Sequence, residues 1–169
     1  MCLGGLKVPH DRELIGHSDA DVLLHAVTDA LLGAAALGDI GEMFPDTDPA
    51  NRGRDSGEML RMARDAVASA GWRAVNVDCI VFAQRPKLGP HKAQIGRRLA
   101  ELLGVRPDQV AVKAKTGEGI GEVGREEVIA AQCVALLEAG EGLEVGDQRL
   151  EVGDQSRGAA ARIRGGKGS

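Results

Sequence analysis

Apolar residues recur every three or four positions in three stretches of this chain, and this spacing predicts three helices. The predicted helices cover residues 19–37, 56–70 and 91–103. A glycine follows each of them, at Gly38, Gly71 and Gly104, and glycine is common just after a helix. Ser18 is the predicted N-cap of the first helix, because its hydroxyl can accept a hydrogen bond from the first turn.

Two segments rich in β-branched residues, 75–83 and 110–114, predict strands. Leu6 and Val8 predict a further short strand or hairpin. The apolar run at 128–137 is continuous, so its pattern alone fits either a helix or a strand. Helices and strands therefore alternate, which predicts an α+β or α/β sandwich with helices covering a small sheet.

Glycine and proline separate these elements and mark two predicted loops, at residues 39–54 and 116–124. Residues 1–140 are predicted to form one domain. After it, the hexapeptide Leu-Glu-Val-Gly-Asp-Gln occurs twice, and the last residues are mostly glycine, alanine and basic residues. This composition predicts a low-complexity, disordered tail over residues 141–169.

Composition narrows the class of protein. Only 2% of the 169 residues are aromatic and none is tyrosine, so the core is expected to be aliphatic. The net charge of −4 gives no general attraction to nucleic acid or to an anionic membrane. Cys2, Cys79 and Cys133 form no CxxC pair, which argues against a disulfide framework or a thiolate zinc site. No signal peptide or membrane span is recognised, and we expect a cytoplasmic protein.

The most distinctive polar cluster is His17-Ser18-Asp19-Ala20-Asp21, with His25 one helical turn later. Asp21, His25 and Asp29 are four residues apart and share one helix face. A neighbouring carboxylate often orients a metal-binding histidine, yet ordinary ion pairs also explain the spacing. His17 precedes the helix, where it fits a phosphate contact or a surface loop.

Three further segments carry groups suited to phosphates, sugars or metal ions. Asp46 and Asp48 lie in a proline-flanked loop, where such residues bind hydroxyls or cations or support a turn. Residues 83–87 end a strand with two cations, which fits phosphate recognition or a solvated turn. Residues 116–121 form a glycine-rich loop that lacks Walker A or GxGxxG spacing. Glu118 in this loop is suited to an oxygen-preferring cation such as Mg²⁺.

In this order and at these spacings, the motifs resemble those of the 2-C-methyl-D-erythritol 2,4-cyclodiphosphate synthase family. The His-Ser-Asp-x-Asp…His motif and the Phe-Pro-Asp-Thr-Asp motif at 44–48 are the most specific. The resemblance covers about residues 3–137. Its matching segments are 17–22, 24–26, 28–36, 38–41, 44–49, 76–78, 83–84, 86–87, 112–114, 116, 118, 124–125 and 135–137. It implies an α+β fold whose helices cover one face of a small mixed β-sheet. It also implies a homotrimer packed around the sheets, with sites between subunits.

The resemblance implies roles for individual residues. His25 corresponds to a ligand of Zn²⁺ or another divalent cation, and Glu118 to a ligand of the Mg²⁺ or Mn²⁺ that accompanies the substrate diphosphate. His17 and Thr116 correspond to catalytic, transition-state-stabilising positions, whereas Asp19 and Asp21 are expected to cap and orient. The implied substrate-binding residues are His17, Ser18, Asp39, Ile40, Gly41, Phe44, Pro45, Asp46, Thr47, Asp48, Ala83, Gln84, Arg85, Pro86, Lys87, Leu88, Gly89, Lys115, Thr116, Gly117, Glu118 and Arg125. Of these, residues 39–41 and 44–48 correspond to the loop around the methylerythritol, and residues 83–89 correspond to the cytidine and phosphate pocket.

The implied reaction is an intramolecular phosphoryl transfer on a cytidine diphosphate substrate, 4-diphosphocytidyl-2-C-methyl-D-erythritol 2-phosphate. The 2-phosphate attacks the β-phosphorus, which yields the 2,4-cyclodiphosphate and CMP. Two cations would align the phosphates and neutralise their charge. The resemblance thus predicts a lyase of non-mevalonate isoprenoid (terpenoid) biosynthesis.

Two features depart from the family pattern. The family's other two zinc ligands lie in a Gly-x-Asp-x-His motif that would precede Met1, so only His25 of the three is expected in this sequence. Lys115, Gly117 and Glu122 stand where the family has threonines and an aromatic residue. We therefore expect the chain as printed to have the fold but little synthase activity. Two explanations are open: a first strand with these ligands precedes the printed start, or the chain is a truncated, inactive nucleotide-binding homologue. Taken alone, the His/Asp cluster also fits a metal-dependent phosphohydrolase.

Overall fold

The computed structural model describes residues 1–12, residue 14 and residues 19–140. His17, Ser18 and the predicted tail over 141–169 lie outside the described residues. A hairpin comes first, and helices and longer strands follow it. In chain order the elements are β1 (Cys2–Leu3), β2 (Leu6–Lys7), α1 (Val22–Ala34), α2 (Ile40–Met43), a 3₁₀ turn (Pro49–Asn51), α3 (Ser56–Ser69), β3 (Trp72–Phe82), α4 (Lys92–Leu103), a second 3₁₀ turn (Pro107–Gln109), β4 (Val110–Lys115), α5 (Gly121–Gly124) and β5 (Ala130–Ala139).

The three longer strands form a mixed sheet in the order β4-β3-β5. β3 pairs parallel with β4 and antiparallel with β5. Helix α1 contacts β5 and β3, and α4 contacts β4, all from the same side. On the opposite face of β5, Val134 and Leu136 are 73% and 56% exposed. The predicted mixed sheet with helices on one face is therefore confirmed.

The core between helices and sheet is aliphatic, as the composition predicts. Helix α1 contributes five residues that are at most 1% exposed: Leu23, Leu24, Val27, Leu31 and Leu32. Full burial of each such side chain is worth about 2 kcal/mol. Helix α1 is thus fixed by its apolar side, which sets the position of His25 in its first turns. No helix among the described residues is long and apolar enough to cross a bilayer.

The predicted helix boundaries hold within one residue for α3 and α4, but α1 differs at both ends. It begins at Val22, and its N-cap is Asp21, whose carboxylate accepts a hydrogen bond from the Leu24 N–H at 3.1 Å. The prediction of Ser18 as the N-cap is therefore wrong. The helix stops at Ala34 because Ala36 and Gly38 adopt φ angles of 55° and 84°.

The strand predictions are confirmed with shifted ends. β3 begins three residues earlier than expected, at Trp72. The ambiguous apolar run is a strand, β5. Each of the two predicted loops contains a single-turn helix, α2 in the first and α5 in the second. Leu6 lies in the predicted hairpin, which β1 and β2 form.

Candidate functional site

A cavity of about 820 Å³ opens beside the start of α1. It brings His25 of α1 together with predicted substrate-binding residues from the segment that follows the helix. Those that line it are Ile40, Gly41, Phe44, Asp46 and Thr47. Apolar side chains, including Val22, Met59 and Ile129, form much of the remaining wall. A cavity with apolar walls and a few polar groups is typical of small-molecule sites.

One carboxylate of α1 and two carboxylates of the loop itself hold residues 39–51 in place. Asp29 of α1 accepts a hydrogen bond from the Ile40 N–H at 2.8 Å. Asp39 caps α2 through the Glu42 N–H at 2.8 Å, and Asp48 accepts from the Ala50 N–H at 2.9 Å. Asp39 and Asp48 therefore shape the loop, whereas Asp46 and Thr47 line the cavity.

His25 is oriented from α3 by a serine. Its Nε2 lies 2.9 Å from the Ser56 hydroxyl oxygen. The Ser56 hydroxyl donates a short hydrogen bond to Asp19, which also accepts from the Ser56 N–H at 3.3 Å. Because a serine hydroxyl has a single proton, the bond to His25 requires a proton on Nε2. The chain Asp19–Ser56–His25 thus fixes the orientation of the ring.

Asp21 has a structural role at the base of the cluster. It is fully buried and accepts hydrogen bonds from the Gly4 and Gly5 N–H groups at 2.9 and 2.7 Å, besides the Leu24 N–H. The Cys2 thiol donates to it at 3.6 Å. Both Gly4 and Gly5 have positive φ angles. Asp21 therefore joins the β1–β2 hairpin to α1, which agrees with its expected capping role.

The residues that the structure describes do not fit a zinc site. A catalytic zinc needs about three protein ligands. No group of three His, Cys, Asp or Glu side chains that could hold a metal ion occurs among the described residues. The Nε2 of His25 is bonded to Ser56, so this nitrogen would have to leave that bond to ligate a metal.

A second, smaller cavity of about 360 Å³ adjoins the first, and Leu14 and Ile129 line both. Gln84 and Arg85 of the predicted nucleotide segment line this cavity, as do His10 and Arg12. The Gln84 Oε1 is buried without a hydrogen-bond partner among the described residues. The cavity thus offers the guanidinium groups of Arg12 and Arg85.

The predicted nucleotide segment and the glycine-rich loop meet at one edge of the sheet. β3 and β4 are parallel, and the Ala83 N–H donates to the Lys115 carbonyl at 2.9 Å. Residues 83–89 and 115–118 therefore start side by side. In the loop, Gly117 packs so closely on the Gly124 backbone that a Cβ would overlap it, and Glu118 has a φ of 51°.

Arg125 makes a bidentate ion pair with Glu127, at 2.8 and 2.9 Å. This guanidinium holds the pKa of Glu127 below its usual value. Both side chains are exposed, so the pair is worth little to stability. Arg125 lies outside the walls of both cavities, although Glu127 lines the second one.

Sequence reasoning missed several residues of the first cavity and the serine that orients His25. Asn51, Arg52 and Met59 line the cavity but were not singled out. Ser56 was recognised only as the first residue of a helix. Ser56 and His25 are 31 positions apart in the sequence, so local residue spacing gives no sign of the hydrogen bond between them. Thr116 and Glu118 lie at the sheet edge, outside both cavity walls, and His17 and Ser18 lie outside the described residues.

Comparison with known proteins gives consistent results. A sequence model of the YgbB family matches residues 1–138. The 2-C-methyl-D-erythritol 2,4-cyclodiphosphate synthase of Dechloromonas aromatica is 56% identical over 138 residues, which are 82% of this chain and 86% of that protein. The synthase of Bordetella petrii is 58% identical over 137 residues, or 81% and 85% of the two chains. A solved synthase of this name in its CDP-bound form has a TM-score of 0.75 at 38% identity, over 82% of this chain and 89% of that one.

Proposed function

Because this chain belongs to the YgbB family, we propose that it converts 4-diphosphocytidyl-2-C-methyl-D-erythritol 2-phosphate to 2-C-methyl-D-erythritol 2,4-cyclodiphosphate and CMP. It would act as a cytoplasmic lyase of isoprenoid biosynthesis by the non-mevalonate route. The observation that carries the proposal is the first cavity, where His25 meets the Phe-Pro-Asp-Thr-Asp segment. That segment is the one that the resemblance assigns to the methylerythritol.

The first cavity suits the branched polyol end of this substrate. Phe44, Met59 and Ile129 offer an apolar surface for its carbon skeleton. Asp46 and Thr47 present polar groups to its hydroxyls from the same wall. Polar groups placed at a few points of an apolar cavity fix the orientation of a ligand.

The sheet edge suits the cytidine diphosphate. Lys87 and Lys115 are exposed cations near the start of the two adjacent segments, and cations there would pair with phosphate oxygens. In this loop a Cβ on Gly117 would overlap the Gly124 backbone, so the loop keeps its shape only with a glycine at this position. A homologous synthase binds CDP, which supports a nucleotide site of this kind.

The reaction needs positioning more than covalent help. An oxygen of the 2-phosphate forms a bond to the β-phosphorus, and the bond from that phosphorus to the bridging oxygen breaks. CMP leaves with the bridging oxygen and no water is consumed. The protein's part is to hold both ends of one flexible substrate so that the two phosphates meet.

Two divalent cations would neutralise the charge of the phosphates. Glu118 is the proposed ligand of a Mg²⁺ or Mn²⁺ ion. His25 is one proposed zinc ligand, and the other ligands would have to come from outside the described residues. His17 and Thr116 stay proposed catalytic residues on the resemblance alone.

We also propose a homotrimer packed around the sheets, with sites between subunits. The uncovered face of β5 exposes Val134 and Leu136, which a neighbouring copy would bury. In light scattering, we expect Leu136→Asp to dissociate the trimer, whereas Met62→Asp, on the exposed surface of α3, should leave it intact. Equal masses for the two variants would contradict the proposed packing.

The proposed function is tested by measuring CMP, inorganic phosphate and cyclic product together. We expect CMP and cyclic product in equal amounts, and a KM about tenfold higher for Asp46→Ala, since a substrate hydrogen bond is worth about 1.4 kcal/mol. Asp108→Ala, an exposed carboxylate outside both cavities, serves as control. Inorganic phosphate instead of cyclic product would indicate a phosphohydrolase, and CDP binding without product would indicate an inactive homologue. Either result would overturn the proposal.

A further inference from the structure

Two cysteines face each other inside the sheet. Cys79 of β3 and Cys133 of β5 are register partners in the antiparallel pair. Their sulfur atoms lie 3.5 Å apart, and the Cys79 thiol donates to Cys133. Cys79 is fully buried and Cys133 is half-buried, both on the side that the helices cover. None of the proposed catalytic, binding or metal roles uses either residue.

The backbone at this pair already fits a disulfide. Directly opposed residues of an antiparallel pair have Cα atoms about 4.5 or 5.5 Å apart, depending on the type of pair. Disulfides join Cα atoms that are about 4.4–6.8 Å apart, so both types fall within this range. Rotation of the two side chains would close the 3.5 Å gap between the sulfur atoms towards a bond.

We propose that Cys79 and Cys133 are a modification site, where a small peroxide oxidises them to an intramolecular disulfide that added thiols reduce. In the first step the Cys133 sulfur attacks one peroxide oxygen, the O–O bond breaks, and sulfenic acid and one water form. In the second step the Cys79 sulfur attacks the sulfenic sulfur, the S–O bond breaks, and a second water leaves. The peroxide accepts two electrons, and the two thiol hydrogens leave in the waters.

The environments of the thiols support this order of events. The hydrogen bond from Cys79 lowers the pKa of Cys133, whereas that hydrogen bond and burial raise the pKa of Cys79. The thiolate is the form that attacks peroxide, and Cys133 is also the more accessible of the two. Cys2 lies elsewhere, bonded to Asp21, and burial together with nearby carboxylates raises its pKa to about 11. The pair is therefore expected to react before the third thiol.

The disulfide would join β3 to β5 across the segment that contains α4, β4 and the glycine-rich loop. A crosslink that closes a long loop restricts the unfolded chain. We therefore expect the oxidised protein to unfold at a higher urea concentration than the reduced protein. This consequence does not depend on the proposed synthase activity.

The full chain is treated with hydrogen peroxide, denatured, labelled with N-ethylmaleimide and examined by intact mass and peptide mapping. We expect a loss of two hydrogens, one label at Cys2, a crosslinked peptide pair containing Cys79 and Cys133, and full reversal by dithiothreitol. Cys2→Ala should lose the same two hydrogens, and Cys133→Ala should lose none. Labels on all three cysteines, oxygen added to Cys133 without a crosslink, or a crosslink to Cys2 would each overturn the proposal. The mapping is done on the unaltered chain, so the result does not depend on whether a variant folds.

Discussion

Asp21→Ala removes the group that joins the N-terminal hairpin to the first helix. The carboxylate is fully buried and accepts from the N–H groups of Gly4, Gly5 and Leu24. Alanine offers no acceptor, so the Gly4 N–H would stay buried without a partner. We therefore expect a large loss of stability from a residue whose sequence context suggests a metal or substrate site.

The magnitude follows from the individual bonds. Loss of an N-cap costs about 1 kcal/mol, and a hydrogen bond to a charged acceptor is worth about 1.5–3 kcal/mol. The Gly5 N–H is partly accessible and would recover part of its loss through water. The sum is about 4 kcal/mol, which is a large part of the roughly 5–15 kcal/mol of a typical domain. Asp21→Asn keeps one acceptor oxygen and should lose about half as much.

Urea unfolding at one fixed protein concentration measures these changes. With a slope of about 2 kcal/mol per molar urea, a loss of 4 kcal/mol corresponds to a midpoint about 2 M lower. Asp46→Ala is the matched control, because Asp46 is exposed on the cavity wall, and should change the free energy of unfolding by less than about 0.5 kcal/mol. An Asp21→Ala midpoint equal to that of the control would refute the structural role of Asp21.

Three further predictions concern the site. Ser56→Ala should lower kcat about tenfold by releasing His25, since misplacement of a group reduces rate steeply. Ser69→Ala on the same helix should leave kcat unchanged. Equal kcat values for the two variants would contradict the orienting role of Ser56. Gly117→Ala should weaken CDP binding by more than about tenfold in calorimetry, because the added Cβ overlaps neighbouring backbone. Gly33→Ala is the control: a Cβ there has no atom within 4 Å, so this variant should bind CDP normally. Because His25 is the single proposed zinc ligand among the described residues, zinc should be held weakly, and elemental analysis after dialysis should find far less than one zinc per chain. A full equivalent of zinc that His25→Ala abolishes would contradict this weak binding.

Local patterns predicted most of the fold. Helices α3 and α4 were placed within one residue because their apolar spacing is regular and a glycine, Gly71 or Gly104, follows each of them. The start of α1 was wrong because Ser18 and Asp21 are both good capping types, and the choice between them depends on Gly4 and Gly5. The run that became β5 was ambiguous because Val134 and Leu136 are apolar on its uncovered face. Because both faces of β5 carry apolar residues, its sequence lacks the alternation of apolar and polar residues that identifies a half-buried strand.

Only part of the site could be predicted from the sequence, because some of its contacts join residues that are far apart in the chain. The resemblance supplied the loop residues that share the first cavity with His25. Asp19 and Ser56, which orient His25, are far apart in sequence, and their contact exists only after α3 packs on α1. A carboxylate and a hydroxyl are also common at helix starts, so neither signals a second role.

The most direct test of the account is ³¹P NMR of the products under single-turnover conditions, with protein in excess over the diphosphocytidyl substrate and with Zn²⁺ and Mg²⁺ present. These conditions make slow turnover visible, which matters because the described residues do not make up a zinc site. We expect the two coupled phosphorus signals of the cyclic diphosphate and one equivalent of CMP. Inorganic phosphate in place of the cyclic product, or substrate that stays unchanged, would contradict it.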